Sequence, residues 1–397
     1  MNLYESSFNK LRNYCEKENF RGWDPFDGLN SKIFKATPLK YWSLSRLVWI
    51  QLFKRNPINL RKLLVVPKEY NAKGIALFLA GYCNLYSYIK QAGDYRFGSI
   101  EETLRKIQHL ANLLLSMRSK GYSGACWGYN FGWQARRLFY FPKNTPTVVA
   151  TSFCAEALLQ AYEITNNDEY LQKAISSSDF VMNDLKRTPC KNGFLFSYSP
   201  LEGNDTVFNA SLLGAKLLIQ VYNYTNKIKY KNISKEVIQT VCDYQEKDGS
   251  WIYGLNPVQS WKDSFHTGYN LESIQTYQEI TGDKTFSKNI NIGFDYYINS
   301  FFTNNGIPKY YNDKIYPIDI HCPGQLFITL SKLNKFSDYE HLAKNVMEWT
   351  ILNMQDKKGY FYYQLKKSIS SKISYMRWNN AFMFNSMAIF LLEEIKN

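Results

Sequence analysis

Hydrophobic positions along the second half of the chain fall into blocks of similar length, and each block ends in a glycine turn. The four turn glycines are spaced 56, 57 and 53 residues apart, at Gly193, Gly249, Gly306 and Gly359. An amphipathic segment with apolar residues at helical spacing precedes each glycine, which predicts a helix with one buried face. A period of this length is typical of a helical-hairpin repeat.

A second kind of segment follows each turn and is apolar on more than one face. A helix that is apolar nearly all round is buried on every side. Counting upstream as well, six such segments are predicted as inner helices, at 72–89, 151–165, 206–222, 265–280, 320–333 and 377–392.

Six inner helices alternating with six outer ones predict an all-α fold, an (α/α)6 toroid with short β-like hairpin loops at its mouth. The segment PLKYWSLSRLVWIQLFK, residues 38–54, is expected to supply the outer helix that closes the ring, within an N-terminal segment 1–56. An open helical array is the alternative. Because Pro and Gly fall mainly in the connections, residues 1–397 are expected to form one domain.

All inner helices of a toroid begin at the same end, so their first turns converge on one mouth. Helix N-termini also favour anions and polar oxygens there. Asp263 fits the N-cap position of its helix, yet two of the four histidines fall at equivalent repeat positions, each with an Asp upstream. We therefore expect one shared pocket at this end. Its polar and aromatic candidates are Asn209, Asp263, His266, Asp319, His321, Arg377 and Trp378.

The formal net charge of +14 favours an anionic partner. Lysines are spread along the chain without a dense block or a nucleic-acid-binding signature, so no nucleic-acid partner is expected. An acidic saccharide, a lipid-linked precursor or a nucleotide sugar stays open as the ligand.

Seven cysteines without a CxxC pair argue against a disulfide framework and a ribbon-type zinc site. Asp319, His321 and Cys322 lie too close in sequence to face one ion readily, so neither metal nor cofactor is expected. The charged N-terminal residues and the lack of a long apolar run predict a cytoplasmic protein without a membrane span.

The stretch YQEKDGSWIYG resembles the QW-type repeat of terpene cyclases and protein prenyltransferase β-subunits. An isoprenoid cyclase would need a DxDD motif, and a prenyltransferase an Asp-x-Cys pair, and the chain has neither. ACWGYNFGW resembles the cysteine and glycine loops of lanthionine cyclases, but their Cys-His dipeptide is reversed here as His321-Cys322.

More of the chain is similar to α/α-toroid carbohydrate enzymes, namely uronate C5-epimerases, polysaccharide lyases, unsaturated glucuronyl hydrolases and sugar 2-epimerases. The motifs GWDPFDGLNS, FHTGYNLES, GIPKYYNDKIYPIDIH and YMRWNNAFMF resemble a poorly characterised bacterial family associated with cell-surface polysaccharide genes. This resemblance implies a toroid that acts on a saccharide or a lipid-linked oligosaccharide.

Two reactions fit these residues. In the first, an epimerase or lyase abstracts a proton next to a uronate carboxylate, with His266 and His321 on the two faces of the sugar. Asp263 and Asp319 accompany them, and Tyr311 or Tyr269 assists. Arg377 and Lys309 neutralise the carboxylate. The second reaction is glycoside hydrolysis by two carboxylates, for which the candidates are Asp24, Asp263, Asp319 and Glu272.

Other residues are predicted to bind the substrate. Trp127 and Trp378 offer flat aromatic faces to sugar rings, and Asn209 and Glu272 offer polar groups. Asp24 lies in the Gly- and Pro-containing loop GWDPFDGLNS, which is expected to fold across the mouth. A toroid that binds a glycan without catalysis is the third possibility.

Overall fold

The computed structural model describes residues 1–134 and 140–396, and these are mainly helical. The α-helices are α1 (Leu3–Lys17), α2 (Lys32–Ala36), α3 (Ser43–Arg55), α4 (Ala72–Ala92), α5 (Ile100–Ser116), α6 (Val148–Thr165), α7 (Asp168–Asp179), α8 (Phe208–Thr225), α9 (Ile228–Asp243), α10 (Ser264–Thr281), α11 (Ser287–Phe301), α12 (His321–Lys332), α13 (Glu340–Met354) and α14 (Phe382–Glu394). A π-helical turn, Met376–Ala381, leads into α14.

Three short antiparallel strand pairs accompany the helices. Their strands are β1 (Trp133–Gln134) with β2 (Tyr140–Phe141), β3 (Arg187–Cys190) with β4 (Gly193–Phe196), and β5 (Ile318–Asp319) with β6 (Gln364–Leu365). In the last pair Asp319 is opposite Gln364, which holds the loop before α12 against the loop before α14.

The inner helices α4, α6, α8, α10, α12 and α14 form a closed ring. Each packs against the next, and α14 packs against α4. The outer helices α1, α5, α7, α9, α11 and α13 pack around them. The predicted (α/α)6 toroid is confirmed.

Burial follows the predicted contrast between the two layers. Every residue of α8 from Phe208 to Ile219 is buried, as expected of a helix surrounded by others. Helix α5 buries only one stripe, which includes Ile107, Leu110 and Leu114. One continuous hydrophobic cluster extends from Phe8 to Leu392 and fills the space between the layers. Each fully buried Leu or Ile in it stabilises the fold by roughly 1.5–3 kcal/mol.

The outer helix that closes the ring is α1, and the expectation for residues 38–54 was wrong. Helix α1 packs on both α13 and α14, whereas α3 contacts the Asp27–Asn30 turn, the Pro38–Tyr41 turn and β1. The physical reason lies in their apolar faces. Phe8, Leu11 and Cys15 give α1 a fully buried stripe, while α3 buries only Ile50 and Phe53.

The glycine turns tie each outer helix to the next one around the ring. Gly359 has a φ of +102°, and a β-carbon there would lie 2.2 Å from the carbonyl oxygen of Lys10 in α1. Gln355 Nε2 donates to the carbonyl oxygens of Gly359 at 3.0 Å and Ser7 at 2.9 Å. Gln245 makes the equivalent contact two glycine turns earlier. Its Nε2 donates to the carbonyl oxygens of Gly249 and Asn289. The QW-like motif therefore has a structural role in joining hairpins.

Candidate active site at the mouth of the ring

The start of α10 holds an aspartate–histidine pair. Asp263 is the N-cap, and its Oδ1 accepts the backbone N–H of His266 at 3.1 Å. Its Oδ2 lies 2.7 Å from His266 Nδ1 and also accepts Trp261 Nε1–H at 2.9 Å. A carboxylate can only accept, so it favours the tautomer with the proton on Nδ1. That tautomer leaves the Nε2 lone pair of His266 available as a base.

Aromatic rings fix the orientation of His266. Its ring centroid lies 4.7 Å from that of Tyr253 and 4.2 Å from that of Phe265, and Tyr253 stacks on Trp261 at 4.6 Å. About 20% of the His266 side chain stays exposed. The His266 ring therefore packs against Tyr253 and Phe265, and part of it remains accessible to solvent.

A small cleft beside His266 contains two buried amide groups. Its lining includes Asn209 from α8, Asn270 from α10 and Tyr253. Within residues 1–134 and 140–396, the Oδ1 atoms of Asn209 and Asn270 find no hydrogen-bond partner. Leaving a buried polar atom unpaired costs about 1–3 kcal/mol. Both oxygens are therefore available to accept hydrogen bonds from a molecule in this cleft.

His321 begins α12 at the same end of the ring as His266, and both rings contact Phe265. Its ring lies 3.8 Å from Phe382, 4.4 Å from Trp378 and 5.0 Å from Phe265, measured between centroids. Phe265 therefore contacts both histidine rings. Burial, together with the nearby cationic groups, holds the pKa of His321 well below its usual value. This histidine is neutral, and its Nδ1 has no partner in the described part of the chain.

Asp319 is fully buried and holds the surroundings of His321 in place. Its Oδ1 accepts the backbone N–H of His321 at 3.0 Å and Trp378 Nε1–H at 2.9 Å, and its Oδ2 accepts Gln364 Nε2–H at 2.6 Å. Burial raises its pKa to about 6. With both oxygens occupied, Asp319 positions its neighbours.

Arg377 forms a two-point ion pair with Asp24. Arg377 Nε and Nη2 donate to the two carboxylate oxygens at 2.6 and 2.9 Å, and both side chains are buried. Arg61 donates to the backbone oxygen of Asp24 and pairs with Asp27 at 2.7 Å. The loop GWDPFDGLNS is thus fastened beside Arg377. Since Asp24 already occupies that guanidinium, Arg377 is not a free carboxylate receptor.

Lys73, in the first turn of α4, is a mouth residue that sequence reasoning missed. It is buried, its Nζ donates to Tyr269 Oη at 3.3 Å and it lies 4.0 Å from the centroid of the Phe153 ring. Among the described residues it forms no ion pair with a carboxylate. Burial and the charge of Arg377 hold its pKa well below the usual value. In the sequence, Lys73 could have been noticed because it lies in the first turn of an inner helix, as the other mouth residues do.

Tyr269 and Tyr311 lie near the histidines. The ring of Tyr269 is 5.9 Å from His266, between that residue and Lys73. The backbone of Tyr311 pairs with Asp263, and its half-buried ring packs on Tyr310 at 4.4 Å. Both tyrosines are at the predicted end of the ring.

Three of the predicted substrate-binding residues do not face the pocket. Trp127 is fully buried and donates its indole N–H to the carbonyl oxygen of Leu114, so it packs a hairpin. Lys309 Nζ donates to the carbonyl oxygen of Asn312 within its own loop, at 2.7 Å.

Glu272 is the third. It follows His266 by six residues and lies about 9 Å deeper along the helix. There its Oε1 accepts hydrogen bonds from Gln325 and Thr329 of α12. It therefore links two inner helices, and burial raises its pKa to about 7.

Metal-ligand geometry and membrane spans are both lacking in residues 1–134 and 140–396. No group of three or more His, Cys, Asp or Glu side chains there could surround a metal ion. No helix in these ranges is long and apolar enough to cross a membrane.

The fold is similar to those of several carbohydrate enzymes. A sugar epimerase from a ruminal bacterium aligns with a TM-score of 0.61 at 12% identity, over 83% of this chain and 90% of its own. An α-mannanase of glycoside hydrolase family 76 from Bacteroides thetaiotaomicron gives 0.62 at 14% identity, over 82% and 88%. An unsaturated glucuronyl hydrolase specific for heparin gives 0.60 at 12% identity, over 99% and 96%.

These likenesses establish the α/α-toroid fold. No protein-family model matches the chain, and no curated sequence matches it. Membership of the polysaccharide-associated bacterial family therefore stays a prediction.

Proposed function

We propose that the protein is a carbohydrate-active enzyme that removes a proton from the carbon next to the carboxylate of a uronate-containing saccharide, as an epimerase or a lyase. The observation that carries this proposal is the His266–Asp263 pair. His266 borders a cleft lined by Asn209 and Asn270, and Phe265 contacts the rings of both His266 and His321. Structural neighbours named as epimerases and glycoside hydrolases support a saccharide substrate.

Two histidines in different electrostatic surroundings suit transfer between two faces of a sugar. Asp263 accepts the Nδ1 proton of His266 and orients the ring, so that His266 can exchange a proton through Nε2. His321 is kept neutral by burial, so it can accept one. In the reverse direction His266 is the base. A lyase would need only the first abstraction, followed by loss of the group at the β-carbon.

Lys73 takes the role that the sequence assigned to Arg377. A buried amine without a carboxylate partner can pair with the carboxylate of a substrate and stabilise the negative charge that develops as the proton leaves. Tyr269 Oη, 3.3 Å away, orients the amine. The amides of Asn209 and Asn270 then bind sugar hydroxyl groups.

The occupied carboxylates weigh against glycoside hydrolysis. Hydrolysis by two carboxylates needs one free nucleophile or base and one free acid. Asp24 pairs with Arg377, Asp263 holds His266 and Trp261, and Asp319 holds Trp378 and Gln364. The remaining candidate, Glu272, is bound by α12.

Incubation with uronate-containing oligosaccharides in D2O, followed by mass spectrometry, tests the reaction. One deuterium gained without cleavage identifies an epimerase, and a new ultraviolet chromophore identifies a lyase. Addition of water without deuterium at carbon would overturn the proposal in favour of hydrolysis, and binding without turnover would overturn it in favour of a glycan-binding toroid. His266→Gln and His321→Gln should each abolish exchange, while His109→Gln, on the exposed face of α5, should not.

A further inference from the structure

Residues 28–68 form a segment with an unusual surface, called here the basic-apolar segment. It lies between Asp27 and Glu69 and contains no acidic residue. Its nine basic residues are Lys32, Lys35, Lys40, Arg46, Lys54, Arg55, Arg61, Lys62 and Lys68. Ten of the 22 large hydrophobic side chains exposed on the described surface also belong to it: Ile33, Leu39, Tyr41, Trp42, Leu44, Val48, Leu52, Ile58, Leu63 and Val65. About a tenth of the chain thus holds nearly half of its exposed apolar side chains.

Helix α3 presents part of this surface as an ordered stripe. Leu44, Val48 and Leu52 are spaced four residues apart and exposed, so they lie along one side of the helix. Ile50 and Phe53 face the other way and are buried. An apolar side of a helix that no described residue covers is a candidate docking surface for something outside the chain.

The packed side of α3 connects the segment to the mouth of the ring. Trp49 Nε1 donates to the carbonyl oxygen of Gly28 at 3.0 Å, four residues after Asp24, the partner of Arg377. The Phe26 ring lies 5.8 Å from that of Trp378. The exposed stripe therefore lies on an element that borders the candidate active site.

We propose that the basic-apolar segment docks the protein on an anionic membrane surface and brings the mouth of the ring to saccharides held there by a lipid carrier. Apolar and aromatic side chains enter the boundary between headgroups and acyl chains, while lysine and arginine reach anionic headgroups. Arg61 is buried against Asp27 and Lys68 pairs with Glu18. The basic side chains outside these two pairs, on a segment without an acidic residue, match such a surface and oppose a second copy, which would bring like charges together. The docking stands independently, but the carrier-linked substrate rests on the proposed function.

Sedimentation with vesicles tests the docking. The full chain is expected to bind vesicles of phosphatidylcholine with phosphatidylglycerol, to bind phosphatidylcholine alone at least tenfold more weakly, and to dissociate as salt is raised. Leu44→Asp combined with Val48→Asp should lower binding at least tenfold. Leu352→Asp is the matched control, because Leu352 is 68% exposed on the outer helix α13 and Leu44 is 71% exposed on α3.

Three results would overturn the docking proposal: no binding to anionic vesicles, equal loss in both variants, or a dimer in solution that Leu44→Asp dissociates without any lipid binding. Turnover of a short water-soluble oligosaccharide separates this proposal from the proposed function. The Leu44→Asp, Val48→Asp variant should keep that turnover while losing vesicle binding. If vesicles bind but no substrate is turned over, the proposed function fails and the docking stands.

Discussion

Asp263 contacts His266 twice, once through the backbone N–H as a helix cap and once through Nδ1 of the ring. The same carboxylate thus begins α10 and holds the imidazole that α10 presents to the cleft. The stability of α10 and the orientation of the His266 ring both depend on Asp263. Two substitutions of Asp263 can separate these two effects.

Asp263→Asn should keep the cap and lose the charge. Asn caps a helix about as well as Asp, so the free energy of unfolding should change little. Turnover should fall roughly 100-fold or more, because a neutral amide holds the Nδ1 proton of His266 less firmly than a carboxylate does. Asp263→Ala should lose the same turnover and about 1 kcal/mol of stability in addition. Urea unfolding and initial rates measure both, and full turnover in Asp263→Asn would contradict the role assigned to the pair.

Lys73→Met should stabilise the fold and impair the enzyme. Burial holds the pKa of Lys73 below that of a lysine in the unfolded chain, which is about 10.5. Between the folded and unfolded pKa values the unfolded chain binds more protons than the folded one. The free energy of unfolding of the wild type therefore rises with pH in this range. At pH 7 the variant should be more stable than wild type by at least about 1 kcal/mol, and the gap should narrow as pH rises. Turnover of carboxylated substrates should fall.

Lys216→Met is the matched control for Lys73. Lys216 is also buried, but it pairs with Glu156 at 2.8 Å. Removing it leaves Glu156, whose side chain is 23% exposed, with only the hydrogen bond from Gln220 among the described residues, and should destabilise the fold by about 1–3 kcal/mol. Destabilisation by both substitutions would show that Lys73 is a structural cation.

Repeat position explains which parts of the site the sequence could predict. His266 and His321 could be placed together because equivalent residues of successive hairpins share one end of the ring. Lys73 shares that repeat position, but its burial could not be predicted, since it depends on Phe153 and Tyr269 from two other helices. Contacts between residues that are distant in sequence do not follow the repeat period, so the repeat does not predict them.

The ion pair of Arg377 shows the same limit. Its partner Asp24 is 353 residues away, so the sequence left open whether Arg377 binds a substrate carboxylate or an acid of the chain, and the structure has the second. The prediction that segment 38–54 closes the ring was wrong for a different reason. Its apolar residues include the exposed stripe of α3. Apolar spacing alone does not distinguish a face that packs inside the chain from one that stays open.

Glu272→Gln should remove one contribution to the pH dependence of stability. The pKa of Glu272 is raised to about 7, above its unfolded value, so its contribution is present at pH 4.5 and lost as pH rises to 7. The stability of wild type relative to Glu272→Gln should therefore fall by roughly 2–4 kcal/mol over this range. Glu202→Gln, at a side chain that is 92% exposed, should show no such trend. Unfolding in urea at several pH values measures the difference.

Gly359→Ala should open the ring at its closing contact. The new β-carbon would meet the carbonyl oxygen of Lys10 at 2.2 Å, in a backbone conformation with positive φ. Gly93→Ala also introduces alanine at positive φ, but nothing lies within 4 Å of its β-carbon. We expect Gly359→Ala to cost at least about 2 kcal/mol more than Gly93→Ala. Equal melting temperatures would show that α1 moves without cost.

The hydrogen bonds between Ser7 and Gln355 join residues 348 positions apart. During synthesis α1 leaves the ribosome long before the turn that receives it, and its buried face of Phe8, Leu11 and Cys15 has no partner in the meantime. Contacts this distant along the chain form slowly, and open apolar surfaces invite aggregation. The apolar face of α1 therefore stays uncovered in the nascent protein until α13 and α14 have been made and the ring can close.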